Sequence, residues 1–201
     1  MTSSVAGTER FEMMKLALLL IQVICALAPD STSYNAYMDQ RPTADAIELS
    51  GKVNAAMAPS CRPNCPTLAM FRNSSAPNAL LLNDGSKFKI VYKPDFFTTV
   101  YEGYGDGGIL AILAHAVGHA IDAAAPPAWM KSIQNAELRA DAHTGCALAQ
   151  MKLSPRTVRN GIRVLAKFPS PSHPVWDMRV PALRMGYTQC GGDVAVFDKA
   201  L

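Results

Sequence analysis

Residues 112–122 read ILAHAVGHAID, and the interpretation of the chain turns on this stretch. His115 and His119 are four apart, and on an α-helix residues i and i+4 lie on one face. The surrounding run, 107–124, is apolar and Ala-rich and predicts a helix that ends at Pro126-Pro127. Two imidazoles on one helix face can grip a single metal ion. Asp122 follows three residues after His119, on roughly the same face.

A zinc ion needs at least a third protein ligand. The next predicted helix, about Pro127 to Met151, supplies candidates in the segment NAELRAD, residues 135–141. Glu137 and Asp141 are again i and i+4. Their neighbours Ile133, Leu138, Ala140 and Ala142 are apolar, so two carboxylates there need a reason to be buried. The economical reason is that Glu137 ligates the metal while Asp141 accepts a hydrogen bond from a ligating histidine and fixes its tautomer. The bland alternative is a carboxylate pair facing Arg139 or solvent. His143 sits about 200° round the helix from Asp141 and is expected at the surface.

Outward from this centre the pattern is helix, strands, then helices, an α+β arrangement. Pro42 opens a helix to about Met57, and Ala58-Pro59 stops it. Short strands are expected at about Thr67–Phe71, Ala79–Leu82 and Lys87–Tyr92. In the last, Lys87 and Lys89 alternate with Phe88 and Ile90, as in a half-exposed strand. Pro94-Asp95 starts a short helix, and Gly103–Gly108 reads as a Gly-rich turn without a phosphate-binding lysine. Ser154-Pro155 opens a third helix of the C-terminal set. Ser172-His173-Pro174 precedes a fourth, to about Met185, with Gly186 as its stop. Trp129 and Trp176 read as core.

The chain has 201 residues, a net charge of +3 and 49% hydrophobic residues. That length fits one domain with its own core. With no Lys/Arg run and no basic–aromatic interleaving, nothing points to nucleic acid. After Lys15, residues 16–28 (LALLLIQVICALA) form an uncharged run of 13 residues, short of the about 20 that a spanning helix needs. The run reads as the apolar part of a signal peptide, 1–28, starting at Met1 or at Met13 or Met14, with Ala26-Leu27-Ala28 as the cleavage signal and a cut there or near Ser31–Ser33. A membrane anchor is the rival reading. The expected product is a secreted or periplasmic single domain, 29–201, with no stable membrane insertion after cleavage. Cys25 leaves with the leader, and Cys61, Cys65, Cys146 and Cys190 remain, an even set for an oxidising compartment. Four cysteines allow three pairings. If the tight Cys61–Cys65 loop closes on itself, Cys146 is left for Cys190.

Taken together, ILAHAVGHAID, the downstream Glu137-Leu-Arg-Ala-Asp141, Lys89–Tyr92 with Pro94-Asp95-Phe96, and Ser172-His173-Pro174 with Arg179 after it resemble the zincin metallopeptidases of gluzincin type. The resemblance is to the CAAX-prenyl-protease/HtpX-like peptidases and their small exported members, over roughly residues 60–190. It implies a zincin-like domain, with a small, mostly antiparallel sheet whose edge strand packs with a metal-binding helix and further C-terminal helices. It implies zinc on His115, His119 and Glu137, with Asp141 behind a histidine. It also implies that a polypeptide adds as a strand near Lys89–Tyr92, its carbonyl stabilised by His173 or Arg179. His173 has two further readings, as a fourth ligand and as a helix-start residue without a catalytic role. Tyr104 and Tyr187 are additional oxyanion-donor candidates.

One position departs from the family. Where the H-E-x-x-H pattern has its general base, this chain has Ala116, which cannot accept a proton. General acid–base catalysis supplies on the order of 10²–10⁴-fold, so peptide hydrolysis is expected to be impaired or absent while the ligand set stays intact. Asp122, Glu102 and Asp106 are poor substitutes by position. The expectation is an exported zinc metallopeptidase-type protein, slow or inactive. The alternative is a non-catalytic, chaperone-like module that holds polypeptides in the same groove.

Overall fold

Thr43 accepts a hydrogen bond from the amide of Ala46 and so opens helix α1, Ala44–Met57. Its buried residues Ala46, Leu49, Val53 and Met57 fall at helical spacing on one face. The computed structural model describes residues 22–26, 34–83, 87–124, 126–168 and 172–201. The signal-peptide reading of 1–28 therefore lies outside the described residues, apart from a strand β1, Gln22–Ala26. Strands β2 (Leu68–Arg72), β3 (Ala79–Asn83) and β4 (Phe88–Tyr92) follow α1. Next come α2 (Pro94–Ala124), α3 (Ala136–Gln150), α4 (Pro155–Lys167), α5 (Trp176–Gln189) and a short α6 (Val194–Asp198).

The α+β order is as expected, and the small sheet is mixed, with two of its three pairings antiparallel and one parallel. Its order is β1-β3-β4-β2. β3 pairs antiparallel with both β1 and β4, whereas β2 and β4 run parallel. β4 is thus an interior strand, and Lys89–Tyr92 cannot be the accepting edge, because both its flanks are already hydrogen-bonded. β4 is also less exposed than its alternation predicts. Segment 34–40 crosses the outer face, where Tyr34 packs on Ala76, Leu80, Leu82 and Val91. Asp39 forms an ion pair with Lys89, and Asn73 donates to Asp39 at 2.8 Å. The lysine that looked solvent-bound is neutralised from a distant part of the chain.

The inner face of the sheet, with Leu81, Ile90 and Tyr92, shares one core with α1, α2 and the C-terminal helices. The expected short helix, turn and helix over 94–124 become one element, kinked where Gly105 takes a positive φ of 58°. α3 starts later than predicted, because the Asn135 side chain accepts from the amides of Glu137 and Leu138 and sets the helix start there. Gly186 does not stop α5. A Cβ on it would stand 1.7 Å from the carbonyl oxygen of Ala142 on α3, so the glycine lets two helix backbones touch.

Candidate metal centre

α2 and α3 cross with His115, His119 and Glu137 facing one another in the buried interior. Their exposures are 1%, 4% and 8%, so their protonation is governed by one another rather than by water. His115 Nε2 lies 3.2 Å from His119 Nε2 and 3.2 Å from Glu137 Oε2, and His119 Nε2 lies 3.1 Å from the same oxygen. The three atoms form a nearly equilateral triangle. Two ligands about 2.0 Å from one tetrahedral ion are about 3.3 Å apart. The triangle therefore has the size that one ion requires, and this group can hold a metal ion.

Proton bookkeeping gives a second, independent test of the fit. His115 Nδ1 is 3.1 Å from Asp141 Oδ1. Asp141 also receives two hydrogen bonds from Arg179, Nε to Oδ2 at 2.8 Å and Nη2 to Oδ1 at 2.7 Å. Burial opposes ionisation of Asp141, but Arg179 and then His115 outweigh it and hold the carboxyl below its ordinary range. An ionised Asp141 only accepts, so neutral His115 carries its proton on Nδ1 and turns the Nε2 lone pair toward Glu137. Glu137 is ionised too. Burial works against it, yet the close imidazoles of His115, His119 and His173 prevail and keep its carboxyl far below the usual range. Lone pairs meeting at 3.2 Å repel unless a proton or a cation lies between them. A metal cation satisfies all of them together.

His173, just before α5, enters from the other side. Its Nε2 is 3.0 Å from Glu137 Oε2, and its ring stands edge-on to that of His115. Arg179 Nη1 faces His173 Nδ1 at 3.5 Å. A guanidinium there disfavours a proton on Nδ1, so neutral His173 carries it on Nε2 and points an N–H at the centre. It differs from His115 in this respect: one presents a lone pair, the other a donor.

Ala116 is buried against β3 and the preceding turn of α2. Ala79, Leu80, Leu81, Ile90, Ile112 and Leu113 line the narrow gap beside it, together with His115. None of these residues carries a carboxylate. Asp122 is held elsewhere, by Arg139 Nε at 2.6 Å. Glu102, Tyr104 and Asp106 line an open cleft of about 950 Å³ at the kink of α2, with Lys52 and Arg156. Gly105, which lines that cleft, is ten residues, roughly 15 Å, along the helix from His115. Tyr187 is buried against Phe197. Trp176 lies over the Arg179 guanidinium, 5.8 Å from ring to carbon.

The described residues contain two disulfides. Cys61–Cys65 closes the loop after α1, and Cys146–Cys190 ties α3 to the end of α5. They fit an oxidising environment. His143, expected at the surface, is instead fully buried, and neither ring nitrogen has a hydrogen-bond partner. α5 and α2 close over both sides of α3, so the face turned from Asp141 meets protein instead of water. The apolar run Ala140–Leu148 around His143 was the available signal.

No family model, curated protein or solved structure matches the chain.

Proposed function

We propose that this protein is an exported, zinc-holding relative of the gluzincin peptidases that binds polypeptides and hydrolyses them slowly or not at all. The observation that carries the reading is the triangle of His115 Nε2, His119 Nε2 and Glu137 Oε2, with sides of 3.1–3.2 Å, in a chain with Ala at 116. Three protein ligands from imidazole and carboxylate leave a fourth position for water or substrate, the pattern of catalytic rather than structural zinc. Zinc bound there would act as a Lewis acid toward a substrate carbonyl.

The chain's own groups divide the remaining work. Asp141 fixes the His115 tautomer, and Arg179 keeps Asp141 ionised. His173 presents an N–H toward the centre, suited to an oxygen that gains negative charge. No group at 116 takes the proton of an attacking water or returns it to the leaving amine. The supporting case is therefore a complete binding and polarising apparatus that lacks its base.

Metal content tests this directly. The full chain, purified without added metal and passed through gel filtration at neutral pH, is expected to carry one zinc per chain by elemental mass spectrometry. Glu137→Gln should lose it, and His143→Leu should not. A wild-type protein without stoichiometric metal overturns the reading.

A further inference from the structure

Strand β1 has an unusual position for a segment read as part of a leader. Gln22–Ala26 lies in the apolar run 16–28, yet it is hydrogen-bonded along the outer edge of β3. The pairing is antiparallel, with Gln22 opposite Asn83, Val23 opposite Leu82, Cys25 opposite Leu81 and Ala26 opposite Leu80, and it shifts register between Val23 and Cys25. Without β1, β3 would present a row of unpaired backbone N–H and C=O groups, since β4 occupies only its other side. That edge adjoins the metal centre. Leu80 and Leu81 line the same gap as His115 and Ala116.

The chain just after the leader is held independently. Asn73 donates to the carbonyl of Asn35 at 2.8 Å, and Gln40 and Arg72 exchange backbone hydrogen bonds at 2.9 and 3.0 Å at the opposite edge of the sheet. The loss of residues up to about 30 would remove β1 while leaving segment 34–40 attached to β2 and β4.

We propose that Gln22–Ala26 is a removable cap on the β3 edge, and that the uncapped edge accepts an extended apolar polypeptide in the same antiparallel register. Backbone pairing gives such a site affinity with little sequence demand, and alternate side chains beside Leu81 on the inner face give selectivity for apolar residues. This occupant is an unfolded or extended segment of another protein, with the chain's own QVICA as the template. The inference specifies where the polypeptide of the preceding reading lies, and it moves the accepting edge from β4 to β3.

The test uses the full chain. Gln22→Cys with Asn83→Cys places two thiols across the observed register. Oxidation should link residues 22 and 83, as mapped by peptide mass spectrometry. Cys25→Pro removes a ladder donor opposite Leu81 and should release the strand. A fluorescent peptide of residues 20–28, with Ser for Cys25, is the probe. It should bind Cys25→Pro at least tenfold tighter than the unsubstituted chain, and the cross-linked protein not at all. Failure of residues 22 and 83 to link, in protein with its two native disulfides intact, overturns the cap. Equal peptide binding by all three proteins, or none by a folded Cys25→Pro, overturns the accepting edge. If Cys25→Pro does not fold, oxidised and reduced Gln22→Cys/Asn83→Cys provide the same comparison. Repeating it with Glu137→Gln separates this result from the metal reading, because strand pairing needs no metal.

Discussion

Arg179 grips Asp141 with two near-parallel hydrogen bonds, 2.8 Å from Nε and 2.7 Å from Nη2, and both side chains are shielded from solvent. The pair lies directly behind His115, whose Nδ1 is 3.1 Å from Asp141. It therefore links α5 to α3 and, through the imidazole, to α2. Lysine keeps the charge but loses the fork. Arg179→Lys is expected to weaken zinc binding about 10–100-fold, as loss of a partner behind a ligating histidine commonly does. Asp141→Asn should have at least as large an effect, because it leaves Arg179 buried and unpaired. Competition with a chromophoric chelator measures both. Wild-type affinity in Arg179→Lys would remove the pair from the metal site.

Helices α3 and α5 meet at backbone contact, and glycine is required there. A Cβ at Gly186 would stand 1.7 Å from Ala142 O, and one at Gly145 would stand 2.0 Å from Leu183 O. Gly186→Ala is expected to cost about 3 kcal/mol or more, by forcing the helices apart and disturbing the core between them. Gly51 lies on α1 with nothing near its virtual Cβ. Gly51→Ala should stabilise slightly through helix propensity, by up to about 1 kcal/mol. Denaturant unfolding of the two variants should move the midpoint in opposite directions.

These glycines show where the sequence was legible and where it was not. The candidate ligand set could be read, because i, i+4 spacing is a local property of one helix and needs no partner to interpret. His115 with His119, and Glu137 with Asp141, each share a face by helical geometry alone. Tertiary facts could not be read. Gly186 has the same letter whether it ends a helix or admits a neighbour. Lys89 reads as solvent-facing until Asp39 arrives from fifty residues upstream in the chain. The interior place of β4 depends on a parallel partner, β2, that no local alternation reveals. His143 was assigned by the angle between helix faces, and that assignment assumes only one face is covered.

His143 makes a pH prediction. It is fully buried without a hydrogen-bond partner, and burial pushes its imidazole down to about 4 from an ordinary value near 6.5. Between those values the unfolded chain binds a proton that the folded chain refuses. The stability tied to neutral His143 is thus present above pH 6.5 and falls away as the pH drops toward 4, by about 3 kcal/mol in total. His143→Leu should remove that pH dependence. It should also be neutral or stabilising at pH 7, since it replaces two unsatisfied buried nitrogens with an apolar group. Urea unfolding at pH 4.5 and 7 checks both. A wild-type stability no lower at pH 4.5, relative to the variant, would contradict the buried neutral state.

The two disulfides close loops of unequal length, with cysteines 4 apart for Cys61–Cys65 and 44 apart for Cys146–Cys190. By chain entropy the longer loop is worth about 4 kcal/mol and the shorter about 2. Cys146→Ala with Cys190→Ala should therefore lower Tm more than the paired change at 61 and 65. The longer bridge also clamps α3, which carries Glu137, to the end of α5. The double variant should accordingly show faster zinc loss to a chelator, an effect that the 61–65 variant should not share. Equal rates of metal loss would separate the bridge from the site.

Restoring a carboxylate at 116 tests whether the site is a peptidase without its base. Ala116 shares one helix face with neither histidine in full, yet it lies beside His115 next to β3, where an edge-bound peptide would run. Ala116→Glu is expected to raise cleavage of an unfolded protein substrate at least about a hundredfold over the unsubstituted chain. In that background His173→Ala should lower kcat by about 10²–10³, with a smaller change in KM, if the His173 N–H serves the oxygen that becomes negative. His173→Gln, which keeps an N–H donor, should recover part of the loss. No gain from Ala116→Glu, in protein shown to carry zinc, would mean that the centre organises a binding surface and does not perform hydrolysis. The expected result would instead leave a single missing side chain as the reason for inactivity.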